Sequence, residues 1–349
     1  MKLPLITISL PLLLALLSNP SASAAARFYE LGSIEGRNYS EPTAISANGR
    51  VVVGYGYDND GIIHPFRQVR LGKLEAFPVI TSFLAIGVSA DGSVVVANSD
   101  TPAAYNRAFL WSKKTDIVYL STDPNLIFSA IGVSGDGRVV FGYLQDLPCL
   151  WSEKTGLQLL DNPFLQGAYP SGASYNGDVI VSSIPLDTGN VHACRWLRGK
   201  PIELLPDLGI ESNANGVSSD GRIVVGYARG SDNIYRAARW ADDSGMQLLD
   251  SNSTAIFSGA NSASADGSRI VGVIGVTTNV ESAFLWTSTD GLRNMDQLFS
   301  SALPRGWRFV TANAISGDGR WIVGTAFSSR KGVRGYLLDT DLKHSRPDK

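Results

Sequence analysis

The stretch IGVSGDGRVVFGY, residues 131–143, has close relatives elsewhere in the same chain: IGVSADGSVVVAN at 86–98, NGVSSDGRIVVGY at 215–227 and NAISGDGRWIVGT at 313–325. Aligned on the glycine of the turn, the sequence holds seven copies, at Gly49, Gly92, Gly137, Gly177, Gly221, Gly267 and Gly319. Asn48, Asp91, Asp136, Asn176, Asp220, Asp266 and Asp318 precede them. An Asx-Gly pair between two apolar runs signals a β-hairpin, because these residues tolerate the positive φ of a tight turn. The copies are spaced 43, 45, 40, 44, 46 and 52 residues apart, the range of four-stranded propeller blades.

Each copy supplies strands around that hairpin. The strand before the turn alternates small residues, as in Ala85 and Gly87 or Ala130 and Gly132, which suits the innermost strand, where blades converge and space is least. The strand after it is β-branched, as in Val51-Val52-Val53 and Ile223-Val224-Val225, and fits burial on both faces between neighbouring blades. A third strand recurs as RAFLW, LPCLW, HACRW, RAARW and SAFLW, each ending in a tryptophan (Trp111, Trp151, Trp196, Trp240, Trp286). A short turn then leads to a fourth strand such as LQLL at 157–160. The expectation is an all-β chain folded as a seven-bladed β-propeller of four-stranded blades. The last copy lacks a fourth strand, and RFYELGS at 27–33 reads as the missing one, so the amino terminus is expected to complete the carboxy-terminal blade and leave no open edge.

The opening MKLPLITISLPLLLALLSNPSASA, with Lys2, an apolar run and Ala22-Ser23-Ala24 at its end, reads as a signal peptide over 1–24. A single propeller domain is then expected over 25–341 and a polar tail over 342–349. The apolar run is interrupted by Pro4 and Pro11, and no later segment has the roughly 20 apolar residues of a membrane helix. The protein is expected to be exported, to the periplasm or beyond the cell, without membrane insertion. Net charge is −2, and this near-neutral, scattered charge gives no basis for nucleic-acid binding.

The repeated side chains read as structure. Ser46, Ser89, Ser134, Ser174, Ser218, Ser264 and Ser316 lie three residues before the turn glycines, placed to bond the backbone of the turn. The turn carboxylates are distributed around a ring and cannot converge on a metal. Asp58-Asn59-Asp60-Gly61 resembles the start of a calcium loop but has no closing Glu. His64 and His192 occupy equivalent third-strand positions in different blades. No metal, cofactor or catalytic residue is therefore assigned. Cys149 and Cys194 hold the same position in neighbouring blades, about 10 Å apart by sheet packing, beyond the roughly 7 Å limit for a disulfide. Two buried free thiols are expected.

The combination of S-x-D-G-R, V-V-G and A-F-L-W, with LPRGW at 303–307 before the last copy, resembles the HAF extracellular repeat of exported bacterial proteins. The resemblance covers about Arg27 to Leu338; the first copy (HPFRQ, no Trp) and the fourth (Asn176, Ser182) depart from it. It implies a location and a fold class but no reaction. On loop length, the connections between strands two and three and between blades are long and varied, whereas the Asx-Gly side is short and uniform. Variable loops on a rigid scaffold carry binding, which singles out Tyr55, Tyr143, Tyr227 and Trp307. The expected function is a non-catalytic, monomeric propeller presenting a face to a protein or carbohydrate ligand. The alternative is a propeller enzyme, a hydrolase or lyase acting on a glycan or peptide.

Overall fold

A computed structural model describes residues 25–341 apart from 35–38, 58–62, 78–84, 102–103, 122, 124–125, 146, 161–166, 187–188, 251–254 and 278–279. The expected signal peptide (1–24), the expected tail (342–349) and the Asp58-Asn59-Asp60-Gly61 stretch lie outside the described residues. Seven antiparallel sheets follow one another along the chain. Blade 1 runs Ser40–Ile45, Val51–Tyr57, Ile63–Val69, Leu74–Ala76; blade 2 runs Ala85–Val88, Val94–Thr101, Ala104–Ser112, Asp116–Tyr119. Blade 3 runs Phe128–Val133, Val139–Leu144, Leu147–Ser152, Gly156–Leu159; blade 4 runs Tyr169–Ala173, Val179–Pro185, Val191–Leu197, Glu203–Leu204. Blade 5 runs Glu211–Val217, Ile223–Arg229, Tyr235–Ala241, Gly245–Leu248; blade 6 runs Phe257–Ala263, Arg269–Thr277, Val280–Thr287, Gly291–Asn294. The protein is a seven-bladed β-propeller.

Blade 7 is assembled from both ends of the chain. Trp307–Phe309 and Ala314–Ile315 form a split inner strand against Trp321–Ser328, followed by Gly332–Asp339. Arg27–Glu30 then pairs with Gly332–Asp339 in the register Arg27↔Asp339 to Glu30↔Tyr336, as the outer strand. Phe28 places its ring 5.2 Å from Trp307, 5.9 Å from Phe309 and 5.8 Å from Tyr336, so the closure is made by packing as well as by the ladder.

The hairpin turn is built identically in all seven blades. The buried serine accepts a hydrogen bond from the backbone N–H five residues on, at 2.9–3.0 Å, and donates to the Asx side chain. The Asx oxygen in turn accepts from the N–H two residues on. Only the glycine takes positive φ, between 67° and 80°. The Asx serves as a cap within a longer turn and does not adopt the left-handed conformation that a two-residue hairpin loop would require.

The inner strands do not keep the strict alternation read from the sequence. In blades 1 to 6 the register breaks at the residue three before the serine: Thr43, Ile86, Ile131, Ser171, Asn215 and Asn261. Such a bulge bends the strand and re-aims its side chain. It also explains the glycine of V-V-G. A Cβ at Gly54, Gly142, Gly226 or Gly272 would lie 1.9–2.1 Å from a carbonyl oxygen of the bulged strand, and one at Gly324 2.1 Å from the Thr311 carbonyl in the gap of blade 7's split strand, a distance no side chain tolerates.

The core lies between blades. Val51 and Val53 of blade 1 meet Val95, Ala97 and Phe109 of blade 2, and the pattern repeats at blades 5 and 6 with Val225, Ile270, Phe284 and Trp286. Trp240 and Trp286 are buried, and Trp240 donates to the Pro206 carbonyl at 2.5 Å. Cys149 and Cys194 are buried free thiols. Burial raises them to about 11 and about 12.

At the turn end of the axis the blades are joined edge to edge by backbone hydrogen bonds. The donors are Asn48, Ala90, Asp136, Tyr175, Ser219, Ala265 and Gly317; their acceptors are Ala90, Gly135, Tyr175, Ser219, Ala265, Gly317 and Ala47. The seven bonds, 2.7–3.1 Å long, form a complete circuit. Inside it lies an axial cavity of about 160 Å³ walled by two residues from each blade, from Ile45 and Ala47 round to Ile315 and Gly317.

Candidate functional site

The long connections open on the face opposite the Asx-Gly turns. Tyr55, Tyr143 and Tyr227 each directly follow the bulge-facing glycine, so they hold one position in blades 1, 3 and 5. In blades 2 and 4 the side chain at that position bonds to the next blade. Asn98 and Ser183 hold it in blades 2 and 4, accepting hydrogen bonds from Ala130 N–H (2.8 Å) and Ala214 N–H (3.1 Å) of the blades that follow. Of the tyrosines there, Tyr143 touches Tyr169 and Tyr227 lies beside Gly259 of the blades that follow, whereas Tyr55 packs within its own blade.

Each tyrosine has its own companions. Tyr55 packs with Tyr39 and Tyr57, at centroid distances of 6.5 and 6.2 Å. Both Tyr39 and Tyr55 donate to the same oxygen of Glu41, at 2.5 and 2.7 Å. Burial, reinforced by the Glu41 charge, raises both phenols above their ordinary range, so they stay protonated donors. Tyr143 meets the edge of Tyr169 of blade 4 at 5.9 Å, and burial raises it as well. Tyr227 stands at 90° to Tyr235, 5.3 Å away. Beside them Arg229 pairs with Glu211 at 2.7 Å and lies over the Tyr235 ring. Burial and then Glu211 raise the Tyr227 phenol.

Trp307 is placed differently. It starts the split inner strand of blade 7, with Phe28 on one side and the Lys331 ammonium 5.9 Å from its ring. No ring contact joins any two of the four residues: the site is a rim of separate aromatic stations.

Three polar features escaped the sequence reading. His192 Nδ1 is hydrogen-bonded to Asp207, whose other oxygen accepts from Gly209 N–H at 2.6 Å. Asp250, buried just after the outer strand of blade 5, and Asp296, half-buried in the short helix Met295–Leu298 that follows the outer strand of blade 6, are carboxyls raised by desolvation. Asp250 accepts from Ser258 of the next blade, and Asp296 accepts from Phe309 N–H at 2.7 Å. The acid that follows the fourth strand at Asp161, Asp250 and Asp296 was the available signal for the carboxyls. For the partner of His192 there was none, because Asp207 sits in a connection without repeat register. Among the described residues no group of three or more His, Cys, Asp or Glu is arranged to hold a metal, and no helix is long and apolar enough to cross a membrane.

No protein-family model matches the sequence, and no curated protein matches it. Solved structures do resemble it. The β-propeller domain of the Trilobed protease from Pyrococcus furiosus superimposes with a TM-score of 0.59 at 12% identity, over 88% of this chain and 95% of that one. That domain has an open velcro topology, whereas here the amino-terminal strand closes the ring. TolB from Acinetobacter baumannii superimposes with a TM-score of 0.52 at 14% identity, over 71% of this chain. The match spans 64% of the TolB chain. At such identities the likeness is one of fold.

Proposed function

We propose that the protein is an exported, non-catalytic propeller of the HAF-repeat kind whose loop face binds a protein or carbohydrate ligand. The observation that carries this is the recurrence of tyrosine at one repeat position in blades 1, 3 and 5, each ring braced by an aromatic neighbour. Tyrosine gives large, rigid, amphipathic contact area at low entropic cost, which is why binding surfaces use it. Export rests on the leader sequence. Fusing residues 1–30 to a reporter active only outside the cytoplasm should give activity, with cleavage after Ala24 by amino-terminal sequencing; an uncleaved, inactive fusion refutes it.

The binding reading is tested with glycan and peptide panels and a triple variant, Tyr55→Ala/Tyr143→Ala/Tyr227→Ala. Any ligand found should be lost from the triple variant and kept by Arg138→Ala/Arg222→Ala on the turn face. The reverse pattern would falsify the assignment of the face. The enzyme alternative has one observation in its favour, the His192–Asp207 pair on the loop side of blade 4. Turnover of any panel member that disappears in His192→Gln would establish that alternative.

A further inference from the structure

We infer, on the loop-face reading above, that the junction of blades 5 and 6 holds a pocket for an aromatic side chain of a partner polypeptide. The propeller's internal repetition supplies the template. At the junction of blades 3 and 4, Tyr143 is covered by Tyr169, which lies five residues before the turn serine of blade 4 and pairs with Ser183. At the junction of blades 5 and 6, Tyr227 stands in the place of Tyr143. The place of Tyr169 is taken by Gly259, five before Ser264 and paired with Val273. The ring that closes the first junction is therefore missing from the second.

What remains there is a pocket of about 270 Å³ lined by Tyr227, Tyr235, Phe257, Gly259, Asn215 and Asn261, among others. A Cβ built on Gly259 would meet only Tyr227, at 3.9 Å, so the side-chain place is open. The size is below the roughly 300–1,000 Å³ of pockets for drug-sized ligands and suits a single ring. Tyr227 and Tyr235, at right angles, offer a face and an edge, the arrangement aromatic pairs prefer.

The polar lining favours an aromatic ring over a sugar. Asn215 and Asn261 each use one amide N–H on the Ala260 and Ala312 carbonyls, at 2.8 and 3.0 Å. Ser258 is engaged by Ala237 N–H and by Asp250. A sugar carries several hydroxyls that would need partners, whereas Ser258 and one N–H of each asparagine are already engaged; an aromatic side chain needs at most one acceptor.

The test uses p-cresol as probe, with saturation-transfer NMR on the full chain. Wild type should bind it, and methyl α-glucopyranoside should give no signal at the same concentration. Gly259→Tyr, which supplies the missing ring from within the chain, should weaken p-cresol by about fivefold or more while melting like the parent. Tyr227→Ala should weaken it similarly and serves as readout if Gly259→Tyr does not fold; Arg138→Ala, on the turn face, should leave it unchanged. No binding to wild type, equal binding by a folded Gly259→Tyr or by Tyr227→Ala, equal loss in Arg138→Ala, or glucoside binding with the same variant sensitivity would each overturn the inference. Failure of the wider loop-face reading has a different signature: a ligand untouched by the triple variant, with p-cresol still held at Tyr227.

Discussion

Seven copies of one Ser-x-Asx-Gly turn make single residues informative. Ser218→Ala leaves the Ile223 N–H without the hydroxyl it meets at 3.0 Å. It should cost about 1–2 kcal/mol, read as a lower urea midpoint with an unchanged slope. No change in midpoint would mean that water replaces the hydroxyl. Gly226→Ala should cost about 3 kcal/mol, because the added methyl would sit 1.9 Å from the Asn213 carbonyl. Gly199→Ala, with positive φ but open surroundings, should cost about 1–2 kcal/mol; equal losses at the two sites would remove the bulge from the explanation. The turn serine and glycine were legible in the sequence because they act within their own hairpin. The V-V-G glycine was visible as a pattern, but its cause was not, since the bulge it faces breaks the period of two from which inner strands were read. Asp250 gives a pH signature. Desolvation raises its carboxyl in the folded state above its unfolded value, so ionisation destabilises the fold as pH rises. Asp250→Asn, which keeps an acceptor for Ser258, should therefore stabilise at pH 7, with the gain fading below about pH 4 where both states are protonated. A gain independent of pH would point to packing instead.

At the scale of elements, closure depends on a strand of four residues, Arg27–Glu30. Deleting residues 25–33 should lower the melting temperature sharply. Phe28→Ala alone should cost about 3 kcal/mol, since its ring touches Trp307, Phe309 and Tyr336. A truncation that melts like the intact chain would show that blade 7 stands without it. This pairing was legible because a three-strand remnant at one end and a lone strand at the other complement each other. The companions of the rim tyrosines were not. Tyr39, Tyr169 and Tyr235 come from strand starts and connections of differing length: the ladders of blades 1 and 5 bring Tyr39 to Tyr55 and Tyr235 to Tyr227, and packing between blades 3 and 4 brings Tyr169 to Tyr143. The third strands of blades 3 and 4 offer a chemical check: native Cys149 and Cys194, both buried, should resist a thiol reagent and react fully once denatured. A reagent-resistant protein that stays resistant in denaturant would reveal a bridge.

The whole molecule is held round twice, once at the rim of blade 7 by the exchanged amino-terminal strand and once at the axis by the circuit of backbone bonds between turns. Either alone could join the first blade to the last. The outer one is a single latch, and the inner one is a chain of links, one per blade junction, five donated by the residue after the turn serine and two by the Asx. A link cannot be shortened to accommodate a lost neighbour, because each donor reaches a carbonyl one blade away and no farther. Excising one repeat, residues 126–167, would leave Ala90 facing a partner at the wrong angle and the hoop unable to meet itself. Such a variant should exchange blades between molecules or fail to fold, as sedimentation and thermal melting would show; a monomer melting near the parent would mean the hoop is elastic. If it is rigid, this lineage can lengthen loops and change rims freely, but it can change its number of repeats only by remaking the whole circle.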